Sequence, residues 1–117
     1  DMPSIRAGLC CGEPNILGWD ILRNHTTAFV SCPDWVTARG MRTLGAPEKG
    51  DPRVISGESG AVTTGLVETL MLDPEYAELK ELIGLDKTSS VLCFSTEGDT
   101  DPDQYRRIVW EGEYPTC

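Results

Sequence analysis

Basic residues are scarce in this sequence of 117 residues: ten Lys and Arg stand against nineteen Asp and Glu, for a net charge of -9. Only Arg106 and Arg107 are adjacent. A phosphate backbone is bound chiefly through clustered Lys and Arg, so nucleic acid is excluded as a partner. Histidine occurs once, at His25, and the five cysteines (Cys10, Cys11, Cys32, Cys93, Cys117) contain no CxxC pair. That pattern argues against a zinc site and against a secreted disulfide framework. Reduced thiols, and therefore the cytoplasm, are expected. No apolar run approaches the roughly 20 residues of a membrane span, and no secretory signal pattern opens the chain. There is no internal repeat or low-complexity tract. The first residue is Asp1 rather than Met, so truncation or processing is expected.

What is present fits one domain, residues 1–117, with 39% hydrophobic and 25% charged residues. A chain of this length buries roughly two-thirds of its unfolded surface. Its organising stretch is Val54-Ile55-Ser56-Gly57-Glu58-Ser59-Gly60-Ala61, followed by the apolar segment Val62 to Leu72. Two β-branched residues, a glycine-flanked turn and a helix-compatible run read as strand, loop and helix. Open α/β sheets bind ligands at such strand ends. Gly57 and Gly60 allow a tight bend or a close approach, and Ser59 is suited to cap the helix. Glu58 is the unusual residue, because a carboxylate at the root of the loop loses solvation unless it is paired. It is either a functional group or a plain surface glutamate.

In chain order, Ala7 to Asn15 is a loop of small residues that either lets a flat group lie on the backbone or packs on a strand. Asn15 caps a helix from Ile16 to about Arg23, whose Ile16, Leu17, Trp19, Ile21 and Leu22 form a buried stripe. His25 caps or packs near its end. Thr26 to Ser31 reads as a strand. Pro33 starts a helix through about Thr43, with Asp34 at its positive end and Trp35, Val36, Ala38, Met41 and Leu44 facing the core. Gly45 to Pro52 is an irregular connection. Glu75 to Ile83 is a helix ended by Gly84. Ser90 to Ser95 is an unbroken apolar run, as in a strand buried on both faces. Gln104 to Trp110 is a last helix, followed by a tail. The alternation predicts an α/β fold, a parallel sheet with flanking helices, whose loops at Ser56 to Gly60 and Ser95 to Asp101 open on one edge.

The pairing of Ile55-Ser56-Gly57-Glu58-Ser59-Gly60-Ala61 with Phe94-Ser95-Thr96-Glu97-Gly98-Asp99-Thr100-Asp101-Pro102 resembles the diaminopropionate ammonia-lyase family. Those are pyridoxal-phosphate (PLP) enzymes of fold type II, built like the tryptophan synthase β-subunit. Ala7 to Asn15, and Pro33-Asp34-Trp35-Val36 with Ala38-Arg39-Gly40-Met41-Arg42, are similar to the same family. The resemblance covers nearly the whole chain with its motifs in order. It implies the C-terminal portion of a longer enzyme, whose Schiff-base lysine and phosphate loop precede this chain. Lys49, Lys80 and Lys87 sit in no matching motif, so the isolated chain is expected to be inactive.

The resemblance also implies roles. Ser95, with Thr96 beside it, would face the pyridine nitrogen of PLP; otherwise Ser95 only caps its loop. A serine hydroxyl donates to a neutral ring nitrogen without protonating it, and the weaker electron sink suits β-elimination. Glu58 would tune that hydroxyl or the ring oxygen, Gly8 would give a backbone contact, and Gly98 would leave room beside the ring. Asp99 and Asp101 would attract the substrate's second ammonium, or one of them caps the last helix, which is the preferred reading. The implied reaction is α,β-elimination of 2,3-diaminopropionate to pyruvate and ammonia, and the apolar faces prepared for the missing part predict a homodimer, segment exchange or poor solubility. The alternatives are a serine or threonine dehydratase-like lyase, a non-catalytic packing fragment, and an anion-binding module at Ser59.

Overall fold

In a computed structural model the structure describes residues 4–6 and 15–116. They form five α-helices: α1 (Ile16–His25), α2 (Asp34–Gly45), α3 (Val62–Leu72), α4 (Ala77–Ile83) and α5 (Pro102–Val109), with a 3-10 turn at Pro74–Tyr76 leading into α4. The expected loop 7–14, with Gly8, lies outside the described residues.

The centre of the molecule is the pair α2 and α3. Their backbones meet at Gly40 and Gly65, where an added Cβ would run into the Ala61 carbonyl or the Val36 carbonyl of the opposite helix. Only glycine permits that approach. Arg39 fastens the pair from the rim, with its guanidinium 2.9 Å from Asp73 and 3.4 Å from Glu68. The core is Ala38 and Met41 of α2, Ala61, and Tyr105 and Ile108 of α5, with Ile5, Leu44, Val109 and Tyr114 around it. The expected core face of α2 is therefore correct for Val36, Ala38 and Met41, which are buried. The segment after α5 is tied down: the Arg42 guanidinium donates to the carbonyls of Ile108, Glu113 and Tyr114, each at 3.1 Å.

Local signals placed three of the helix ends. Asn15 caps α1, its side chain accepting from the Gly18 amide at 3.0 Å. Gly84 ends α4 with φ 84. Asp101 caps α5, accepting from the Gln104 amide at 3.1 Å, ahead of Pro102 in the first turn. Three expectations need correction. Pro33 is the N-cap of α2 rather than a helical residue, while Asp34 stands in the first turn as expected, its carboxylate 2.7 Å from Ser4 Oγ and 3.3 Å from Arg6. Ser59 does not cap α3, which starts three residues later at Val62 behind Ala61. The apolar stripe of α1 is not buried: Ile16 is 85% and Leu17 78% exposed, and no residue of that helix is buried.

The expected parallel sheet is not seen among the described residues of this chain. Among the described residues none lies in a β-strand, and Thr26 to Ser31, Val54-Ile55 and Ser90 to Ser95 have no strand pairing. A strand exists only with a neighbour to complete its ladder, and these segments do not supply one another. The run expected to be buried on both faces is open instead, with Leu92 78% and Phe94 71% exposed.

Candidate functional site

The two loops singled out in the sequence do meet, although no sheet among the described residues brings them together. Ser56 ends the Val54-Ile55 segment and Ser95 ends the Ser90 to Phe94 run, and their hydroxyl oxygens lie 2.7 Å apart. The Gly57 amide donates to the Glu97 carbonyl at 2.9 Å. The Ser59 amide donates to Glu97 Oε1 at 3.0 Å, and the Thr100 hydroxyl to Glu97 Oε2 at 2.9 Å. Residues 56–61 are all buried, whereas Ser95, Thr96, Gly98, Asp99 and Asp101 are exposed. One loop is thus the fixed floor of the junction and the other its open face.

Gly60 lies at the contact. A Cβ there would sit 2.7 Å from Ser56 Oγ, 3.0 Å from Ser95 Oγ and 3.0 Å from the Thr96 nitrogen. The junction closes only around a residue without a side chain.

The two glutamates of the junction are driven apart in acidity. Glu58 is 5% exposed and its Oε1 has no hydrogen-bond partner among the described residues. Desolvation pushes its carboxyl above the ordinary value; its own backbone amide opposes this, and repulsion from Glu97 and Asp101 adds to it. Glu97 moves the other way. The Ser59 amide holds it below its ordinary value against its own desolvation, with the Thr100 hydroxyl helping. Paired carboxyls with separated affinities for the proton are a recurring arrangement in acid–base sites. Here Glu97 binds the two loops together, and Glu58 is the buried carboxyl with an open acceptor.

Two residues of the junction had not been singled out in the sequence. Ser56 and Glu97 take their importance from partners 39 and 38 residues away, which no local pattern reveals. The available signal was the shared position of Ser56 and Ser95, each directly after an apolar run. Asp101 is accounted for as the cap of α5, while Asp99 is exposed with no contact that defines a role. The anion-binding alternative fails on geometry, because the Ser59 amide that would receive an anion is already bonded to Glu97. Cys32 and Cys93 are unbridged thiols, and among the described residues no group of three or more His, Cys, Asp or Glu is arranged to hold a metal. Nor is any helix there long and apolar enough to cross a membrane.

The fold that carries this junction is similar to a segment of a PLP-bound ammonia-lyase. The chain superposes on diaminopropionate ammonia-lyase from Escherichia coli in complex with an aminoacrylate-PLP azomethine reaction intermediate, with a TM-score of 0.90 and 54% identity, over 97% of this chain and 30% of that one. The same enzyme in complex with D-serine gives a TM-score of 0.89 over 94% of this chain and 28% of that one. In sequence the chain is 55% identical over 114 residues to diaminopropionate ammonia-lyase of Escherichia coli K12, and 50% identical over 113 residues to that of Salmonella typhimurium. These matches take in 97% and 96% of this chain but 29% and 28% of the relatives, so the chain spans less than a third of the length of the curated proteins it matches. No protein-family model matches it. The resemblance seen in the two loop motifs therefore extends across nearly the whole chain, in sequence and in fold.

Proposed function

We propose that this chain is the C-terminal portion of a PLP-dependent ammonia-lyase that converts 2,3-diaminopropionate and water to pyruvate and two molecules of ammonia by α,β-elimination. The observation that carries this reading is the hydrogen-bonded convergence of the Ser56–Gly60 and Ser95–Asp101 loops, in a chain 55% identical to that enzyme over nearly its full length.

The residues present fit the cofactor. Ser95 is an exposed hydroxyl backed by a buried one, and Glu58 Oε1 is a buried polar atom without a partner, so the junction offers one donor and one unfilled position. Ser95 and Thr96 would bind the ring-nitrogen edge, Glu58 the ring or the Ser95 hydroxyl, and Gly98 would leave space beside them, with Gly8 as a backbone contact. PLP, when bound, draws electrons away from the substrate's α-carbon, which makes the α-proton and the β-amino group removable. A neutral hydroxyl at Ser95 would donate to the ring nitrogen without protonating it and so limit that withdrawal. Burial makes the Glu58 carboxyl hold its proton to higher pH than an ordinary glutamate. Asp99 is the remaining candidate for attracting the substrate's second ammonium. The lysine that binds PLP, the phosphate loop and the α-proton base would come from the rest of the enzyme.

The uncovered apolar surface supports the same picture. Thr26 to Ser31, Val54-Ile55 and Ser90 to Ser95 would be strands of a parallel sheet completed by the longer protein, and the open face of α1 would be covered there or by a second subunit of a cytoplasmic homodimer. The test is pyruvate release by the full-length protein with added PLP. Faster turnover of 2,3-diaminopropionate than of serine is expected; faster serine turnover overturns the substrate, and no pyruvate from either overturns the reaction.

A further inference from the structure

We propose that Ser56 is a positioning residue for Ser95: the buried Ser56 hydroxyl donates to Ser95 Oγ, which leaves the Ser95 proton to point at the ring nitrogen of PLP. This deepens the functional reading above and rests on it.

The two oxygens are 2.7 Å apart and share one hydrogen, so the direction of the bond decides which hydroxyl keeps a proton for something else. Ser56 is 0% exposed, and among the described residues Ser95 is its one hydrogen-bond partner. Were Ser95 the donor, the Ser56 proton would be buried with no described acceptor, the costly arrangement for a polar group. With Ser56 as donor, the buried Ser56 proton has an acceptor in Ser95 Oγ. Ser95 is exposed, and its other contact is the Glu97 carbonyl at 3.5 Å, the outer limit of a hydrogen bond. Its proton is therefore available to a better acceptor. A hydroxyl that accepts one hydrogen bond also becomes a stronger donor in the next, which suits a neutral ring nitrogen.

Ser56 has little freedom to choose otherwise. The Gly57 amide is fixed on the Glu97 carbonyl at 2.9 Å, and the Gly60 backbone fills the space beside both hydroxyls. Ser56 touches the cofactor nowhere in this scheme; it acts through Ser95.

The experiment is the dissociation constant of PLP from the full-length apoprotein, measured by equilibrium dialysis for wild type, Ser56→Ala, Ser95→Ala and the double variant. Ser56→Ala is expected to weaken PLP binding about 3- to 10-fold, the range for one net hydrogen bond, and to add nothing in the Ser95→Ala background. Ser56→Cys, which keeps the size but donates weakly, should fall between wild type and Ser56→Ala, and replaces it if the alanine variant does not fold. Equal losses from Ser56→Ala in both backgrounds would overturn the inference, since the effect would then be general packing. Unchanged binding in Ser56→Ala, with a loss in Ser95→Ala, overturns the inference and leaves the role of Ser95 standing. Unchanged binding in Ser95→Ala overturns the ring-nitrogen reading itself.

Discussion

Replacing Gly60 by alanine should open the loop junction. The new methyl would lie 2.7 Å from Ser56 Oγ and 3.0 Å from both Ser95 Oγ and the Thr96 nitrogen, well inside ordinary carbon–oxygen contact. Overpacking of this kind usually costs about 1–3 kcal/mol. How that strain is relieved follows from burial. Ser56 is fully enclosed and cannot retreat, whereas Ser95 is on the exposed loop and can. Moving Ser95 breaks the 2.7 Å bond and lets the methyl in, so the stability loss should fall at the lower end, about 1 kcal/mol. The functional loss should be larger, because the displaced hydroxyl is the proposed ring-nitrogen donor. Urea unfolding of the full-length protein measures the first quantity and PLP affinity of the apoprotein the second. A Gly60→Ala protein that unfolds at the wild-type midpoint and retains PLP as well as wild type would refute the packing argument.

Glu58 gives a pH signature. Its folded-state affinity for the proton is raised, so in the window just above the ordinary glutamate value the folded protein holds more protons than the unfolded one, and stability falls as pH rises through it. Glu58→Gln removes that titration, and the variant should show a flatter decline in stability above about pH 4.5; an unchanged pH profile by chemical denaturation would show that Glu58 is not desolvated. For Asp101, the cap of α5, Asp101→Ala should lower stability by about 1 kcal/mol, while Asp101→Asn, an equally good cap, should not. If instead both variants raise KM for 2,3-diaminopropionate equally, the charge of Asp101 serves the substrate and the capping role is insufficient.

The features read correctly from sequence are those whose cause is local. Asn15 and Asp101 cap helices because a short side-chain oxygen reaches an amide three residues on. Gly84 ends a helix because it tolerates a left-handed backbone. The apolar spacing of Val36, Ala38 and Met41 fixes one face of α2 without reference to anything distant. Ser59 misled for the same reason: it has the right chemistry for a cap and the right place before an apolar run, but its amide is drawn to Glu97 and the helix begins later.

Strands fail differently, because half of what defines a strand lies in another segment. The apolar run at Ser90 to Ser95 has the composition of a buried strand and the exposure of a surface loop, and both follow from one sequence viewed without a neighbour. The loop junction does not share that dependence. The Ser56 to Ser95 hydroxyl contact, the Gly57 amide on the Glu97 carbonyl and the Ser59 amide on the Glu97 carboxylate are all internal to this chain. Two apolar segments without a ladder thus deliver their ends to a contact that is already satisfied. It follows that, within this chain, the geometry around Ser95 is held by the loops and by Gly60, and that substitutions in the loops should disturb the junction more than substitutions in Val54, Ile55, Val91 or Leu92.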